Sequence, residues 1–389
     1  MPSGEYLRLR TIGRKTGKPH DVIVRFLTVG GKIVVFPQSA GRQDWVANLE
    51  ANPKAEAFST DFSVEGTAKV KEVSGLKDPL LSAFTRKYGE RDVRKRYWGQ
   101  RRYVEIEITS KSASLNYAQL VYAELEAAFD GVAENYDHHI MDNEMNLWLR
   151  NRSVALLKRL FGPGDTVLEI GCGTGTETLA LAEHGTSMIA TDISSKMLDV
   201  LWRKAGDANL RGRVRTVQAR PYELRQKLAE AGIARIDGAY STYGAINTDP
   251  FLPQLFKDLA AMIRPGGHLV LGVWNRYCLY EILGYSIRAK PSLAFARFRN
   301  PVPVGKSRFC VASNAYDVRS ITSLMDGDLV LREVHGVEIF LPPSNLVHYL
   351  PPRPLVSALK RLDVALETLY PWNRLGDHFL AVFQRRPTS

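Results

Sequence analysis

The chain has 389 residues, of which 45% are hydrophobic and 24% are charged. This composition is typical of a globular protein with room for two domains and a core in each, and it excludes intrinsic disorder and a disulfide-stapled miniprotein. No apolar stretch approaches the roughly 18 to 20 residues of a membrane-spanning helix, and no basic-then-apolar leader follows Met1. We therefore expect a cytoplasmic protein without a membrane span.

The three cysteines are Cys172, Cys278 and Cys310. An odd number of widely separated cysteines does not build a disulfide framework or a zinc site, because both need paired spacings. We expect reduced thiols and no bound metal.

The formal net charge of +11 is unevenly distributed along the chain. Residues 1–115 carry 21 Lys and Arg against 13 Asp and Glu, a net +8, whereas residues 116–389 carry 31 against 28, a net +3. The first third is therefore the part expected to hold an anion.

Alternating apolar and polar residues with short turns predict five strands in the first hundred or so residues. Helical stretches at 42–52 and 78–89 interrupt them. The pattern favours a small antiparallel barrel or sheet. The predicted strands are YLRLRT, HDVIVRFLTV, KIVVFP, SVEGTAKVKEV and RRYVEIEIT.

From about residue 112 the pattern becomes helical, at 114–130 and 141–161, and then strands and helices alternate. This alternation predicts a doubly wound α/β sheet. The predicted strands are TVLEI, SMIATD, RVRTVQ, DGAYS and HLVLGVW, followed after an insertion by DLVLREVHGVEIFL and GDHFLAVFQRR. We expect a first domain over 1–112 and a second over 113–389, which consists of a helical arm (113–161), a core (162–274), a cap (275–330) and final strands with a helix (331–389).

The strongest functional signal is VLEIGCGTGTE at 167–177, where a buried strand meets a glycine-rich turn that opens a helix. Glycines let this turn approach a ligand closely, and the helix N-terminus supplies free N–H groups. The spacing G-x-G-x-G puts Thr176 where a dinucleotide fingerprint needs glycine, which weakens a nicotinamide or flavin dinucleotide reading. Asp192 ends the next strand, where a carboxylate can accept both ribose hydroxyls of a nucleoside. The structural alternative is an ordinary turn with Asp192 capping the following helix.

Residues 129–274 resemble the class I S-adenosylmethionine-dependent methyltransferases, in particular the branch that acts on small molecules such as quinone precursors. The resemblance is carried by VLEIGCGTG, ATDISSKML, DGAYSTYGAIN and LAAMIRPGGHLVLGVWNR, and FDGVAENYD looks like the arm that closes over the cofactor in that branch. It implies a Rossmann-like sheet that binds S-adenosylmethionine.

The same resemblance assigns residues to the cofactor. The methionine end would meet the turn, Glu169, Ser241 and Tyr136, the ribose would meet Asp192, and the adenine would meet Ile193 and Met197. The family usually has an acidic residue after the third strand to receive the adenine amino group, and here Arg220 stands there, so backbone at Ala219 is the alternative. The turn residues in this set are Gly171, Cys172, Gly173 and Gly175.

Methyl transfer needs little beyond alignment, because the sulfonium is already a good leaving group and orientation can supply roughly 7–11 kcal/mol. A base is needed only when the acceptor must lose a proton of high pKa. The candidate catalytic residues are Tyr243 and His348, and we expect His378, in the last strand, to be structural.

The aromatic-rich and arginine-rich cap suits an apolar or aromatic small-molecule acceptor. The alternative is a cap that buries only itself.

In the basic first third, the loop GRKTGKP at 13–19 places three cations and two glycines between strands. It is not a P-loop, because its spacing is one residue short, Pro19 replaces the hydroxyl and no α/β unit follows. A solvated hairpin loop is the simplest alternative. With DWVANLEANP at 44–53, however, the segment resembles the deazaflavin-dependent nitroreductases, whose split β-barrel binds a deazaflavin coenzyme with an anionic tail.

That second resemblance implies that the tail meets Arg14, Lys15 and Lys18. The ring site would be lined by Ser39, Ala40, Gly41 and Trp45. Flavin mononucleotide is an alternative ligand, and dimerisation through the barrel is open.

We therefore predict a split β-barrel joined to a methyltransferase domain that methylates a small acceptor. The alternative is a cofactor-binding or sensing protein with a silent methyltransferase domain. A nucleic-acid partner is not expected, because STYG at 241–244 replaces the N/D-P-P-Y/F/W tetrapeptide of amino-methylating nucleic-acid enzymes, and because the cations are not interleaved with aromatic residues.

Overall fold

The computed structural model describes residues 6–38, 44–58, 63–75, 78–97, 99, 101–111, 117–249, 252–299, 302, 313–325 and 327–387. The chain divides into two compact units, Met1–Ala123 and Glu124–Ser389. No helix in the described part of the chain combines the length and apolarity that crossing a membrane requires.

The first unit is a closed six-stranded barrel, which confirms the predicted barrel. Its strands follow one another in the order β1-β2-β3-β6-β5-β4, and β4 pairs with β1 to close it. The elements are β1 (Tyr6–Ile12), β2 (Pro19–Val29), β3 (Lys32–Val35), α1 (Asp44–Ala51), β4 (Lys54–Phe58), β5 (Ser63–Glu72), α2 (Pro79–Tyr88), α3 (Glu90–Tyr97) and β6 (Arg102–Lys111).

The strand that the sequence pattern misses is β4, which reads KAEAF. Lys, Ala and Glu have weak β propensity and good helix propensity, so the segment carries no local strand signal. Its pairing with β1 and β5 decides its conformation, and this pairing buries Ala55 and Ala57 in the barrel core.

The second unit contains a seven-stranded sheet flanked by helices. Its elements are α4 (Tyr117–Asp130, which begins in the first unit), α5 (Tyr136–Met141), α6 (Glu144–Leu160), β7 (Thr166–Ile170), α7 (Thr176–Glu183), β8 (Ser187–Asp192), α8 (Ser195–Asp207), β9 (Val214–Gln218), α9 (Leu224–Glu230), β10 (Ile236–Ser241), α10 (Leu252–Met262), β11 (Ile263–Trp274), α11 (Leu279–Ile287), α12 (Pro291–Ala294), α13 (Val318–Thr322), β12 (Leu329–Val337), α14 (Arg353–Leu366) and β13 (His378–Arg385).

The sheet order β12-β13-β11-β10-β7-β8-β9 confirms the predicted doubly wound sheet. Strands β7 to β11 pair in parallel, and β13 runs antiparallel to β11 and β12. The chain winds outward from β7 to β9 on one side and from β10 to β11 on the other. The carboxyl ends of β7 and β10 therefore flank the switch point, where ligands bind in sheets of this kind.

Candidate functional site in the second unit

The turn after β7 needs its glycines. Gly171, Gly173 and Gly175 have φ angles of 72°, 52° and 81°, in the left-handed region that side chains disfavour. A Cβ at Gly175 would lie 2.1 Å from Leu201, whereas one at Gly173 would meet only Tyr136, at 3.8 Å. The turn is therefore tightly packed beneath and open at Gly173, as a cradle for a ligand requires.

Asp192, at the end of β8, is tied to this turn. Its carboxylate accepts the backbone N–H of Gly173 at 2.8 Å and that of Ser194 at 2.9 Å. The side chain is 7% exposed, and burial raises its pKa to about 6 although these hydrogen bonds favour the ionised form. A carboxylate has about four acceptor sites, so this one can accept a further hydrogen bond, such as one from a ribose hydroxyl.

Glu169 lies in β7, directly below the turn, and is 2% exposed. It accepts a hydrogen bond from the hydroxyl of Thr178. Burial and the nearby Glu177 raise its pKa to about 8. A cationic amino group above Glu169 would offset this cost of ionisation, so the residue fits the methionine end of the cofactor.

The segment that resembles a closing arm is attached to the turn and to both ends of α8. The Ser194 hydroxyl donates to Asp130 at 2.5 Å, and Lys204 reaches Asp137 at 2.7 Å. Asp137 also accepts the hydroxyl of Thr174. The arm places Tyr136 against Met197, in a cluster beside the cofactor turn.

The residues predicted to meet the adenine lie close to Asp192. Met197 is buried, Ile193 is half-buried, and the N–H of Ala219 donates to the Asp192 carbonyl at 3.1 Å. The Arg220 guanidinium is engaged by Glu126 at 2.7 Å and by Glu223 at 3.3 Å. Arg220 is thus held by acidic neighbours, and a contact with adenine at this position stays a prediction.

Ser241 ends β10, and its hydroxyl donates to the carbonyl of Ile170 at 2.9 Å. This bond joins the ends of β10 and β7. In the loop that follows, the Cβ of Ala245 lies 2.6 Å from where a Cβ on Gly171 would be, so the loop packs directly on the cofactor turn.

Tyr243, in that loop, has a φ of 59°, which is strained for an aromatic residue. The guanidinium of Arg150 lies over its ring, with Cζ 4.2 Å from the centroid, and also donates to Glu177 at 2.6 Å. Each of these three side chains keeps one buried polar atom without a hydrogen-bond partner, namely Tyr243 Oη, Arg150 Nε and Glu177 Oε1. Buried polar atoms without a hydrogen-bond partner are rare in folded proteins. The three atoms fit a site where a bound ligand supplies the missing hydrogen bonds.

The two histidines that the sequence analysis considers lie in different surroundings. His348 lies on an exposed turn at 344–349, where its ring contacts Tyr349 at 4.1 Å. Its assignment as a base stays a prediction. His378 begins β13, with its ring 6.5 Å from that of Tyr243 and nearly parallel to it. Its Nε2 lies 3.9 Å from where a Cβ on Gly244 would be.

A buried group of charged side chains lies next to His378. The sequence analysis did not predict it. Its Nδ1 lies 2.7 Å from Oδ2 of Asp377, and Arg297 donates to Oδ1 of the same carboxylate. Arg297 also donates to Glu281 at 2.8 Å. Burial opposes ionisation, but Arg297 and His378 hold the pKa of Asp377 below its ordinary value. Asp377 and His378 are neighbours in the sequence, but Arg297 and Glu281 lie 80 and 96 positions before Asp377, so no sequence motif connects the group.

Glu338 lies beside this group, and ligand atoms of Glu338, Asp377 and His378 come within 4.8 Å of one another. Burial and the Asp377 carboxylate raise the pKa of Glu338 well above its usual value. Because the Arg297 guanidinium already neutralises Asp377, a divalent cation here would be placed against a buried positive charge. The arrangement fits a protonated Glu338 better than a metal site.

Neither of the two cysteines that the structure describes forms a disulfide bond. Cys172 and Cys278 are free and buried, and burial raises the pKa of both thiols. Cys310 lies outside the described residues.

In the barrel, the loop at 13–19 forms a tight turn in which the N–H of Gly17 donates to the Gly13 carbonyl at 2.8 Å. Arg14 is held by Asp44 at 3.1 Å, and its N–H donates to Asn48 at 3.1 Å. Lys15 and Lys18 are exposed, and neither ammonium group has an ion-pair partner among the described residues. The loop therefore has cations available for an anionic ligand.

Trp45, in α1, is 8% exposed and packs in the barrel core. Ser39, Ala40 and Gly41 lie outside the described residues, so the ring site expected there, like dimerisation of the barrel, stays a prediction.

Comparison with known proteins assigns both units. Residues 167–267 match the family described as "Methyltransferase domain". Residues 1–102 match the family described as "F420H(2)-dependent quinone reductase".

Two curated relatives align with the second unit. A demethylmenaquinone methyltransferase of Mycobacterium marinum is 28% identical over 189 residues, which are 46% of this chain and 73% of that protein. A ubiquinone biosynthesis O-methyltransferase of Coxiella burnetii is 30% identical over 145 residues, 36% of this chain and 58% of that protein.

Two solved structures are similar at low identity. Geranyl diphosphate C-methyltransferase from Streptomyces coelicolor has a TM-score of 0.39 and 18% identity, over 61% of this chain and 79% of its own. The YcgJ protein from Bacillus subtilis has a TM-score of 0.39 and 15% identity, over 61% of this chain and all of its own.

A methyltransferase domain implies S-adenosylmethionine, and a quinone reductase domain of the matched family implies a deazaflavin coenzyme. The chain is therefore an enzyme that carries an N-terminal deazaflavin-dependent quinone reductase domain and a C-terminal methyltransferase domain.

Proposed function

We propose that this protein transfers a methyl group from S-adenosylmethionine to a small aromatic acceptor of the quinol type. The observation that carries the proposal is the packing of the loop with Tyr243 and Ala245 on the Gly171 turn, because it brings a cofactor cradle and a group of unpartnered polar atoms to one place. Both quinone methyltransferase relatives and the quinone reductase match of the barrel support a quinone-related acceptor.

The chain's own residues bind and orient. Asp192 would hold the ribose of the cofactor, Gly173 would meet its methionine end, and Glu169 would sit under its amino group. Tyr136 and the arm would exclude water from above. When bound, S-adenosylmethionine would supply a methyl group on a sulfonium sulfur that leaves as a neutral thioether, and the acceptor would give up a proton to balance the charge.

His378 is the residue we propose to take that proton. A quinol binds its ring proton or hydroxyl proton tightly, so its methylation benefits from a base. The imidazole lies beside Tyr243, and the Asp377 carboxylate is 2.7 Å from its Nδ1. The Arg297 contact would in turn keep Asp377 ionised.

For the barrel, we propose that it reduces the quinone whose quinol is methylated. When bound, a reduced deazaflavin supplies a hydride, which together with one proton from solvent converts a quinone into its quinol. The net charge of +8 in residues 1–115 and the free cations of Lys15 and Lys18 support an anionic coenzyme. The order, reduction before methylation, follows because a quinol ring is electron-rich and a quinone ring is not.

The test is product formation with purified full-length protein. Menaquinone-type and ubiquinone-type precursors lacking one methyl group are supplied with S-adenosylmethionine, with and without reduced deazaflavin. We expect a singly methylated product when the acceptor is reduced, by the deazaflavin or by dithionite. Quinone reduction without methylation of any reduced acceptor would contradict the methyl transfer. Methylation only with dithionite would contradict the reductase step alone.

A further inference from the structure

The cap presents apolar side chains to solvent. On α11, Leu283 and Ile287 are 52% and 85% exposed, and their spacing of four residues puts them on one helix face. Ile287 gains little from packing within the unit, because most of its side chain is exposed.

Exposed aromatic residues lie in the same segment. The rings of Phe295 and Phe298 contact each other at 5.6 Å, and Phe298 contacts Tyr277 at 5.4 Å. We call the exposed apolar residues of this segment the cap surface. They are Tyr277, Leu283, Ile287, Leu293, Phe295 and Phe298. Three of these residues form one group of touching rings and two share a helix face, so the exposure is clustered, whereas exposed apolar residues are normally scattered singly.

The charges on this segment have one sign. Arg288, Lys290 and Arg299 are exposed, whereas the nearest acidic residue before them, Glu281, is buried against Arg297. The sequence has no Asp or Glu between Glu281 and Asp317, although it has six Lys and Arg there. The second unit is nearly neutral as a whole, so this basic run is local.

We propose that the cap surface docks on the surface of an anionic lipid bilayer. An apolar helix face flanked by cations is the combination that lies in a bilayer interface, where apolar side chains enter the headgroup boundary and cations meet lipid phosphates. Exposed aromatic residues suit the same depth. An acceptor that resides in the bilayer would then reach the cap directly, but the docking does not depend on the methyl transfer.

Two other candidate partners, a second copy of the chain and a nucleic acid, match the cap surface less well. Two copies meeting through the same face would bring cations against cations, because residues 282–299 contain no acidic residue. A nucleic acid would match the cations but would gain little from Leu283, Ile287 and Leu293, which cannot stack on bases as aromatic rings do.

The experiment is co-sedimentation of the full-length protein with vesicles. One set contains phosphatidylglycerol and phosphatidylcholine, and the other phosphatidylcholine alone. We expect binding to the anionic vesicles, weakened about fivefold for each cation removed in Arg288→Gln and Lys290→Gln, and abolished in the double variant Leu283→Ser, Ile287→Ser. Trp202→Ser, which removes another exposed aromatic residue on α8, is the matched control and should bind like the wild type.

Affinity for S-adenosylmethionine, measured on the same samples, should be unchanged in every variant and reports folding. Three results would overturn the proposal: no binding to anionic vesicles, equal binding to both vesicle types, or full binding by the Leu283 and Ile287 double variant. A self-association that this double variant abolishes, in the absence of vesicle binding, would assign the surface to a second copy.

Discussion

The guanidinium of Arg150 lies 4.2 Å from the centre of the Tyr243 ring and donates to Glu177 at 2.6 Å. It thereby joins α6, α7 and the loop after β10 in one buried contact. Since that loop also packs on Gly171, the ion pair holds the proposed acceptor side of the site against the cofactor side.

Replacement of Arg150 by Met should therefore destabilise the second unit. The change leaves Glu177 buried without its partner, which costs about 3–5 kcal/mol in comparable pairs. Chemical denaturation checks this. The control is Arg159→Met on the same helix, whose pair with Glu333 is exposed and should contribute at most about 1 kcal/mol. Equal effects of the two changes would contradict the structural role of the buried pair.

Exchange of His378 for Gln should lower kcat by roughly 10²–10⁴ if the imidazole takes the acceptor's proton. Affinity for S-adenosylmethionine should be unchanged. His348→Gln separates the two candidate bases, because the loss of kcat should fall on this variant instead if His348, the base predicted from the sequence, takes the proton. The loss at His378 should shrink for acceptors with an acidic hydroxyl, which need no base. A loss that is the same for every acceptor would indicate a structural role.

Glu169 should make stability depend on pH. Its pKa of about 8 in the folded protein exceeds the ordinary value of 4.5, so between these values the folded state holds a proton that the unfolded state has lost. Its contribution to the free energy of unfolding therefore falls as pH rises through this window, by up to about 1.4 kcal/mol per pH unit.

Glu169→Gln should remove this slope, so that the difference in stability between variant and wild type grows from pH 5 to pH 8. Denaturation of both proteins across this range measures it. Glu183→Gln, an exposed position on α7, is the control and should track the wild type. Parallel curves for Glu169→Gln and wild type would show that the carboxyl ionises normally.

In the barrel, Lys15→Ala together with Lys18→Ala should weaken binding of a deazaflavin with an anionic tail. The lost affinity should decrease as salt is added, because the interaction is electrostatic and exposed. Fluorescence titration at two salt concentrations checks it. Lys69→Ala, an exposed lysine near Glu107, should have no effect. Unchanged affinity in the double variant would remove the loop from the coenzyme site.

The sequence patterns predicted most of the second unit because its signals are local. The strands at 166–170 and 187–192 have the predicted bounds, and the glycines of the turn have the left-handed backbone that their chemistry suggests. In the barrel, β4 escaped prediction because only pairing with its neighbours makes KAEAF a strand.

The parts of the site that could not be predicted are those made by distant residues. Arg150 meets Glu177 across 27 positions, and Arg297 meets Asp377 across 80. Both are pairs of ordinary charged residues until the fold buries them. The stacking of His378 on Tyr243 is likewise a contact between residues far apart in the sequence, whereas the assignment of His348 as a base stays a prediction.

The central claim, that the Gly171 turn and Asp192 form an S-adenosylmethionine site, is tested most directly by calorimetry. Wild-type protein should bind S-adenosylmethionine at one site, and Asp192→Asn should bind it about 10-fold to 100-fold more weakly, since hydrogen bonds to a charged group contribute roughly 1.5–3 kcal/mol. Asp199→Asn, exposed on the adjoining helix, should bind like the wild type. No binding by the wild type, or equal affinity for Asp192→Asn, would contradict the account.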